Sequence, residues 1–364
     1  MKRKKEIIVI ATGGTGGHIF PAVSLSNFLD DEYQVEFVTD KRGLKYFNNE
    51  KKIKINVINS NNIFNKNIFK IFIGLINMFF SIFFSFILLK KIKPKLIIGV
   101  GGYSSFAACL ASYFLRIPIL LYEPNLVIGR ANKLLLPLSK KILVSIENIE
   151  GIKEKYKHKI FCSGYLLRKK ILDTKIIEST SDNKELSILI IGGSQSAKIF
   201  GEELPKIIKK CNENGIRFNI YQQCLDNQKT ELNRLYKKLN LKFELFTFVN
   251  DLSRYYTRVD FAITRSGASS IAELLNLNIP FVAIPLPSSS DNHQLKNAMY
   301  FKSKGYCFLL EQKYIFEKLF EMLKDLNKHR DKLILLKEKM KKHSDSETPN
   351  KTNELIKKVL NGKI

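Results

Sequence analysis

The sequence predicts an α/β protein built from two doubly wound parallel-sheet domains, each opening on a strand, a glycine loop and a helix. Three observations carry that reading. Short continuous apolar runs, separated by segments with helical spacing, are the pattern of parallel strands covered on both faces. The strand–glycine loop–helix unit occurs at Ile7–Ala11 with Gly13–His18, and again at Leu186–Ile191 with Gly192–Ala197. Between them the polar segment Asp173–Glu185, with Ser179-Thr180-Ser181-Asp182-Asn183 at its middle, interrupts the pattern.

In order, the first strand and glycine loop lead into a helix over Ile19–Leu29. Strands are expected at Val35–Thr39, Ile53–Ile58, Leu96–Gly99, Pro118–Tyr122 and Ile142–Ser145, and a second glycine loop follows Leu96–Gly99 at Gly99–Ser105. After Leu186–Ile191 come strands at Phe218–Gln222, Phe243–Phe248, Val259–Ile263, Phe281–Ile284 and Tyr306–Leu310. Helices over Phe316–Asn327 and Asp331–His343, a break at His343–Asn350 and a last helix over Thr352–Leu360 complete the chain. The expected domains are 1–165, a linker 166–185, 186–345, and a C-terminal helix in 346–364 free to return to the first domain.

A chain of 364 residues with 45% apolar content can fill two cores. The net charge of +26 and pI near 9.7 call for anionic partners: nucleic acid, phosphorylated substrates or an acidic membrane surface. Abundant Lys, Asn, Ile and Phe without Trp also fit biased codon usage, so part of that charge need not be functional. The lysines are dispersed rather than clustered with aromatics, which argues against nucleic acid. Five cysteines without a CxxC pair indicate reduced thiols and no zinc. The apolar run after the basic start is too short for a signal peptide.

The stretch Thr264–Ala298 has the richest local chemistry. Ser266-Gly267 turns out of a strand, and Ser269 or Ser270 is expected to cap the helix that follows. Amides at such a helix start, with its dipole, suit a phosphate. Glu273, one turn in, would repel that phosphate and suits ribose hydroxyls. A polar loop, Ser288–Gln294, comes to the same end of the sheet. An ordinary strand–helix–strand unit with a capped helix reads these residues equally well. The first glycine loop is not a dinucleotide fingerprint, since Ile19 stands where a third glycine is needed, and no Walker motif occurs. Three glycine loops at strand ends suggest close backbone approach to a ligand lying across an interdomain cleft.

Gly13–His18, Gly101–Ser104, Glu123-x-Asn125, Gly192-Gly193-Ser194-Gln195, and Arg265–Ala268 through Glu273 to Gln294 come in the order and spacing of one family. Over nearly its whole length the chain resembles the MurG family of peptidoglycan glycosyltransferases. The resemblance implies a GT-B fold of two Rossmann-like domains facing a cleft. It also implies transfer of N-acetylglucosamine from UDP-N-acetylglucosamine to the MurNAc 4-hydroxyl of lipid I, with inversion, to give lipid II. It implies no cofactor and no metal, with which the lack of any Asp-x-Asp agrees. The implied place is the cytoplasmic face of the bacterial inner membrane, as a peripheral enzyme.

By the same resemblance, Thr15, Gly16 and Gly17 contact the donor sugar and help hold the acceptor diphosphate. His18 is similar in position to the general base, with Glu123 a rival; a histidine that only hydrogen-bonds backbone or phosphate is the alternative. Asn125, Ser194 and Arg168 reach the donor, and the Val249 backbone reads uracil. Ala268, Ser269, Ser270 and Ile271 hold the donor diphosphate, Glu273 the ribose and Gln294 a sugar hydroxyl. Departures from the family occur at Tyr122 and Pro124, at Tyr165-Leu166-Leu167, and at Ser196.

Ile71–Leu89 is 19 residues without a charge, bracketed by Lys70 and by Lys90, Lys91, Lys93 and Lys95. Spanning a bilayer would divide one sheet across the membrane, so a helix lying in the interface, lysines on anionic head groups, is expected. A buried core helix is the bland alternative. The competing functions are another GT-B glycolipid synthase, such as a diacylglycerol glucosyltransferase, and a non-catalytic UDP-sugar-binding membrane adaptor. The intact Gly13–His18 loop counts against the adaptor.

Overall fold

A computed structural model describes residues 5–14, 16–47, 53–59, 68–174, 185–193, 197–247, 249 and 251–364. The chain divides into two compact units, the first made of 1–169 with 345–364 and the second of 170–344.

The first unit begins β1 (Ile7–Ala11), α1 (Gly16–Leu29), β2 (Gln34–Thr39), α2 (Lys41–Leu44) and β3 (Lys54–Val57). It continues with α3 (Ile68–Ile92), β4 (Leu96–Gly99), α4 (Tyr103–Phe114), β5 (Ile119–Glu123), α5 (Arg130–Leu135), β6 (Lys141–Val144) and β7 (Ile160–Cys162). Its seven strands lie in the order β3-β2-β1-β4-β5-β6-β7, all parallel. In the second unit, α6 (Lys169–Asp173), β8 (Leu186–Ile191), α7 (Ala197–Glu213), β9 (Phe218–Gln223), α8 (Asp226–Lys238) and β10 (Phe243–Phe246) come first. Then follow α9 (Ser253–Tyr256), β11 (Phe261–Thr264), α10 (Ala268–Asn276), β12 (Phe281–Ala283), α11 (His293–Ser303), β13 (Phe308–Leu309), α12 (Ile315–Lys328) and α13 (Asp331–Met340). This sheet runs β10-β9-β8-β11-β12-β13, again parallel. The fold is thus two Rossmann-like parallel-sheet units of the GT-B class.

Alternation along β1 shows why both faces must be covered. Ile8 and Ile10 join the core under α1, while Val9 and Ala11 join the core under α3, α4 and α5. The last helix, α14 (Thr348–Leu360), packs on the first of these faces, where Leu355, Ile356 and Val359 are buried. Burial of such side chains is worth about 1.5–3 kcal/mol each, enough to hold α14 to the first unit.

Several boundaries differ from the sequence reading. The break at His343–Asn350 is shorter than expected, because α14 starts at Thr348 with Pro349 in its first turn, where a missing N–H costs nothing. The preceding helix stops at Met340. β7 was not expected: three residues at a sheet edge give too little pattern to read. The linker segment 166–185 contains α6, and 175–184 lie outside the described residues. The helix at Ser269 or Ser270 is not side-chain capped; Gly267 is its N-cap.

Candidate functional site

In each sheet the strand order reverses at one place, between β1 and β4 in the first and between β8 and β11 in the second. Outside the carboxyl ends of such strands the adjoining loops run apart and leave a crevice, which is where ligands bind in open α/β sheets. Three of the glycine loops and the start of α10 lie at these two points.

In the first unit the loops after β1 and β4 interlock. The Ser104 hydroxyl donates to the Thr12 carbonyl at 2.9 Å. Gly101 and Gly102 have φ of +101° and +91°, the left-handed region that favours glycine. A Cβ on Gly102 would stand 2.7 Å from the Gly13 carbonyl oxygen, and one on Gly101 would stand 2.8 Å from Nδ1 and Cε1 of His18. His18, half-buried in the first turn of α1, therefore has its ring laid against bare backbone. Below the loop, buried Asp40 accepts from the amides of Gly43 at 2.8 Å and Gly14 at 3.4 Å, and pairs with Arg42 at 2.6 Å. Arg168 sets its guanidinium 5.7 Å from the Phe20 ring centroid on the same helix. Gly16 is buried and Gly17 exposed; Thr15 lies outside the described residues.

Glu123 ends β5, only 2% exposed. Oε1 accepts from the Asn125 amide (3.2 Å) and side chain (3.0 Å), and Oε2 from the Gly129 amide (2.8 Å) and Asn132 side chain (3.0 Å). Four donors saturate a carboxylate. Glu123 thereby holds the 125–132 loop in shape, and it fixes Asn125. Tyr103, at the start of α4, is a residue the sequence reading passed over: burial raises its phenol pKa, against the lowering effect of Arg130 and Arg42.

In the second unit, the Ile271 amide closes the first turn of α10 on the Gly267 carbonyl, and its side chain is core. Ile271 thus offers a ligand neither group, and the orphan donors are the amides of Ala268, Ser269 and Ser270. The Ser266 and Ser269 hydroxyls are buried with no hydrogen-bond partner among the described residues. Beneath them Arg265 is 5% exposed, 4.7 Å over the Phe200 ring, and donates to the Ile284 and Pro285 carbonyls (3.1 Å each) and to Gln312 (2.7 Å). No carboxylate pairs with it among the described residues, and burial lowers its pKa to about 10. Residue type alone gave no sign of this buried cation.

Glu273, one turn further, is buried and accepts from the Tyr256 hydroxyl at 2.7 Å. Gln294 Oε1 accepts from the Leu286 amide at 3.0 Å, and buried Asn297 donates to the Ser266 carbonyl at 3.2 Å. These two contacts tie α11 to its loop and to the start of α10. Val249 is half-buried two residues before Asp251, whose carboxylate accepts from the Ser253 amide at 2.9 Å. Ser194 lies outside the described residues. Of the expected site residues that are described, the first unit carries Gly16, Gly17, His18, Glu123, Asn125 and Arg168, and the second Val249, Ala268, Ser269, Ser270, Glu273 and Gln294.

Helix α3 is oriented against the usual rule. Its buried positions are Gly74, Met78, Ser81, Ser85, Leu89 and Ile92, spaced three or four apart on one face. The two serine hydroxyls are satisfied by carbonyls of their own helix, Asn77 and Ser81, at 2.7 Å each. The outward face carries Phe72, Ile73, Ile76, Phe79, Phe80, Phe83 and Phe84, with Phe79 66% exposed, which excludes a wholly buried core helix. Tyr113 and Phe114 at the end of neighbouring α4 are exposed as well. Phe72–Ile92 is long and apolar enough to cross a membrane by length and composition.

Residues 8–144 match the glycosyltransferase family 28 N-terminal domain and residues 187–357 its C-terminal domain. A Pelagibacter ubique protein described as a UDP-N-acetylglucosamine--N-acetylmuramyl-(pentapeptide) pyrophosphoryl-undecaprenol N-acetylglucosamine transferase is 36% identical over 355 residues, 97% of this chain and 98% of its own. A Rickettsia canadensis protein of the same description is 36% identical over 314 residues, 85% and 87% of the two chains. The crystal structure of Acinetobacter baumannii MurG shares the fold with a TM-score of 0.76 at 24% identity, covering 97% of this chain and 99% of that one. With both halves matched and relatives this similar along nearly its full length, the chain belongs to glycosyltransferase family 28 and, within it, to the MurG family.

Proposed function

We propose that this chain transfers N-acetylglucosamine from UDP-N-acetylglucosamine to the MurNAc 4-hydroxyl of lipid I, with inversion, giving lipid II and UDP. In the second unit the amides of residues 268–270, the Ser266 and Ser269 hydroxyls and the positive end of α10 receive the diphosphate. Glu273 takes the ribose hydroxyls, the Val249 backbone the uracil and Gln294 the sugar. In the first unit His18 takes the proton as the acceptor oxygen bonds to the anomeric carbon and the bond from that carbon to UDP breaks. The electron pair leaves on the diphosphate, where fixed donors stabilise it. We assign the base to His18 rather than Glu123, because the four donors on Glu123 already occupy its lone pairs.

The observation that carries the reading is the pairing of loop chemistry at the two strand-order reversals: a histidine on one, an anion cradle on the other. The test is transfer of labelled sugar from UDP-N-acetylglucosamine to lipid I or to diacylglycerol in detergent. Label on lipid I alone supports the assignment. Label on diacylglycerol, or UDP-sugar binding without transfer to either, overturns it.

The outward phenylalanines of α3 support attachment to the cytoplasmic face of the membrane, where a lipid-linked acceptor resides. A helix that turns serines inward and phenylalanines outward is built for an apolar surrounding on its outer side. Lys90, Lys91, Lys93 and Lys95, at its end, then meet anionic head groups, each worth about 1 kcal/mol. Changing these four to Gln should release the protein from anionic vesicles, most visibly at low salt, and leave UDP affinity as it was. Undiminished vesicle binding would remove the lysines from the account.

A further inference from the structure

The segment 163–168 is where the chain prepares to leave the first unit, and it is fastened by side chains distant in sequence. Thr348 donates its hydroxyl to the Ser163 carbonyl at 2.8 Å, and Asp345 accepts from the Tyr165 amide at 2.8 Å. The returning strand of chain is thus tied to the departing one. The next amide, Leu166, donates to the phenolic oxygen of Tyr122 at 3.0 Å. Tyr122 is 1% exposed and its hydroxyl is also 3.1 Å from Ser145 Oγ. Its own carbonyl accepts from Asn132 at 3.0 Å, the side chain that also holds Glu123. One residue therefore touches both the loop that carries Asn125 and the segment that carries Arg168. The hydrogen bond joins Tyr122 and Leu166 into one feature: a hydroxyl placed to receive an amide.

We propose that Tyr122 is a positioning residue for sugar transfer, its hydroxyl registering segment 165–168, and with it Arg168, against the Glu123–Asn132 loop. The proposal rests on the transferase reading above. A buried amide that loses its acceptor carries a desolvation cost, so the segment moves to find another partner and Arg168 shifts with it.

The test uses the full-length protein and Tyr122→Phe, which keeps the ring and removes the hydroxyl. Expected are a roughly tenfold lower kcat on lipid I, unchanged UDP affinity, and faster amide hydrogen exchange in a peptide covering 163–168 but not in one covering Leu186–Ile191. Leu166→Pro removes the donor instead of the acceptor, so its effect on kcat should be at least threefold smaller when added to Tyr122→Phe than when made in the parent protein. A kcat equal to the parent's, exchange at 163–168 unchanged, or independent effects of the two substitutions would overturn it. A fall in kcat that tracks only a lower melting temperature would overturn it too. If the parent protein moves no sugar to lipid I, the transferase reading fails, and the exchange measurement alone then decides whether Tyr122 holds the segment.

Discussion

The two units share a frame and differ in the charge buried beneath the loop at the strand-order reversal. In the first it is a carboxylate, Asp40, which accepts from one amide of that loop, Gly14, and one of α2, Gly43, and is neutralised by Arg42. In the second it is a guanidinium, Arg265, which touches carbonyls, an amide side chain and a phenylalanine face, but no carboxylate among the described residues. A closed charge pair rigidifies a loop without reaching beyond it. An uncompensated buried cation costs folding free energy, and projects its field toward the amides of α10, where an anionic diphosphate would repay that cost. On the proposed reading, the same strand–loop–helix unit holds a histidine still in one copy and negative charge in the other.

The comparison breaks most visibly at His18. If the first unit does the chemistry, His18→Ala should lower turnover by about 10²–10⁴ and leave UDP affinity unchanged in calorimetry; near-parental turnover at saturating acceptor would move the base elsewhere. Gly101→Ala attacks the same ring indirectly, through a Cβ with nowhere to go and a backbone held at positive φ. Strain of about 1–3 kcal/mol is expected in the melting curve, with roughly 10²-fold loss of turnover from the displaced imidazole. Arg265→Met keeps an apolar chain over Phe200 and removes the charge. UDP should bind about tenfold more weakly, roughly 1.4 kcal/mol, while stability changes less, because relief of the buried charge offsets the orphaned carbonyls. Equal UDP affinity would reduce Arg265 to a clamp. Glu273→Ala should cost about 1–3 kcal/mol of donor affinity.

The smallest effect is one of pH. Burial would raise the Asp251 pKa, but hydrogen bonds from Lys170 and Ser253 bring it down to about 2. A depressed carboxylate contributes stability that is full above its unfolded value near 4 and is lost as pH falls through 2. Asp251 is 38% exposed and Lys170 70%, so the whole contribution should stay below about 1 kcal/mol. It should disappear from acid titrations of Asp251→Asn.

Fold class was legible because continuous apolar runs, alternating with helical segments, fit little besides parallel strands, and β4 and β8 fall on the residues expected. The glycine loops were legible as loops, and the reversals of strand order turned them into two sites. What the sequence withheld are matters of direction. Arg265 reads as any arginine until its surroundings are known, and Glu123 reads as a candidate base until its four donors are counted. Ser269 or Ser270 reads as a cap, yet Gly267 takes that place. The apolarity of α3 was plain, but which face looks outward depends on α4 and the sheet, which lie far away in sequence.

The first unit is also divided along the chain, with 170–344 inserted between its two pieces. During synthesis this sets an order of events. Residues 1–169 leave the ribosome with the sheet face that receives Leu355, Ile356 and Val359 still open, whereas the second unit is continuous and can close as soon as it is complete. The phenylalanines of α3 belong to the other face of that sheet, so they are on display both before the first unit is sealed and after it.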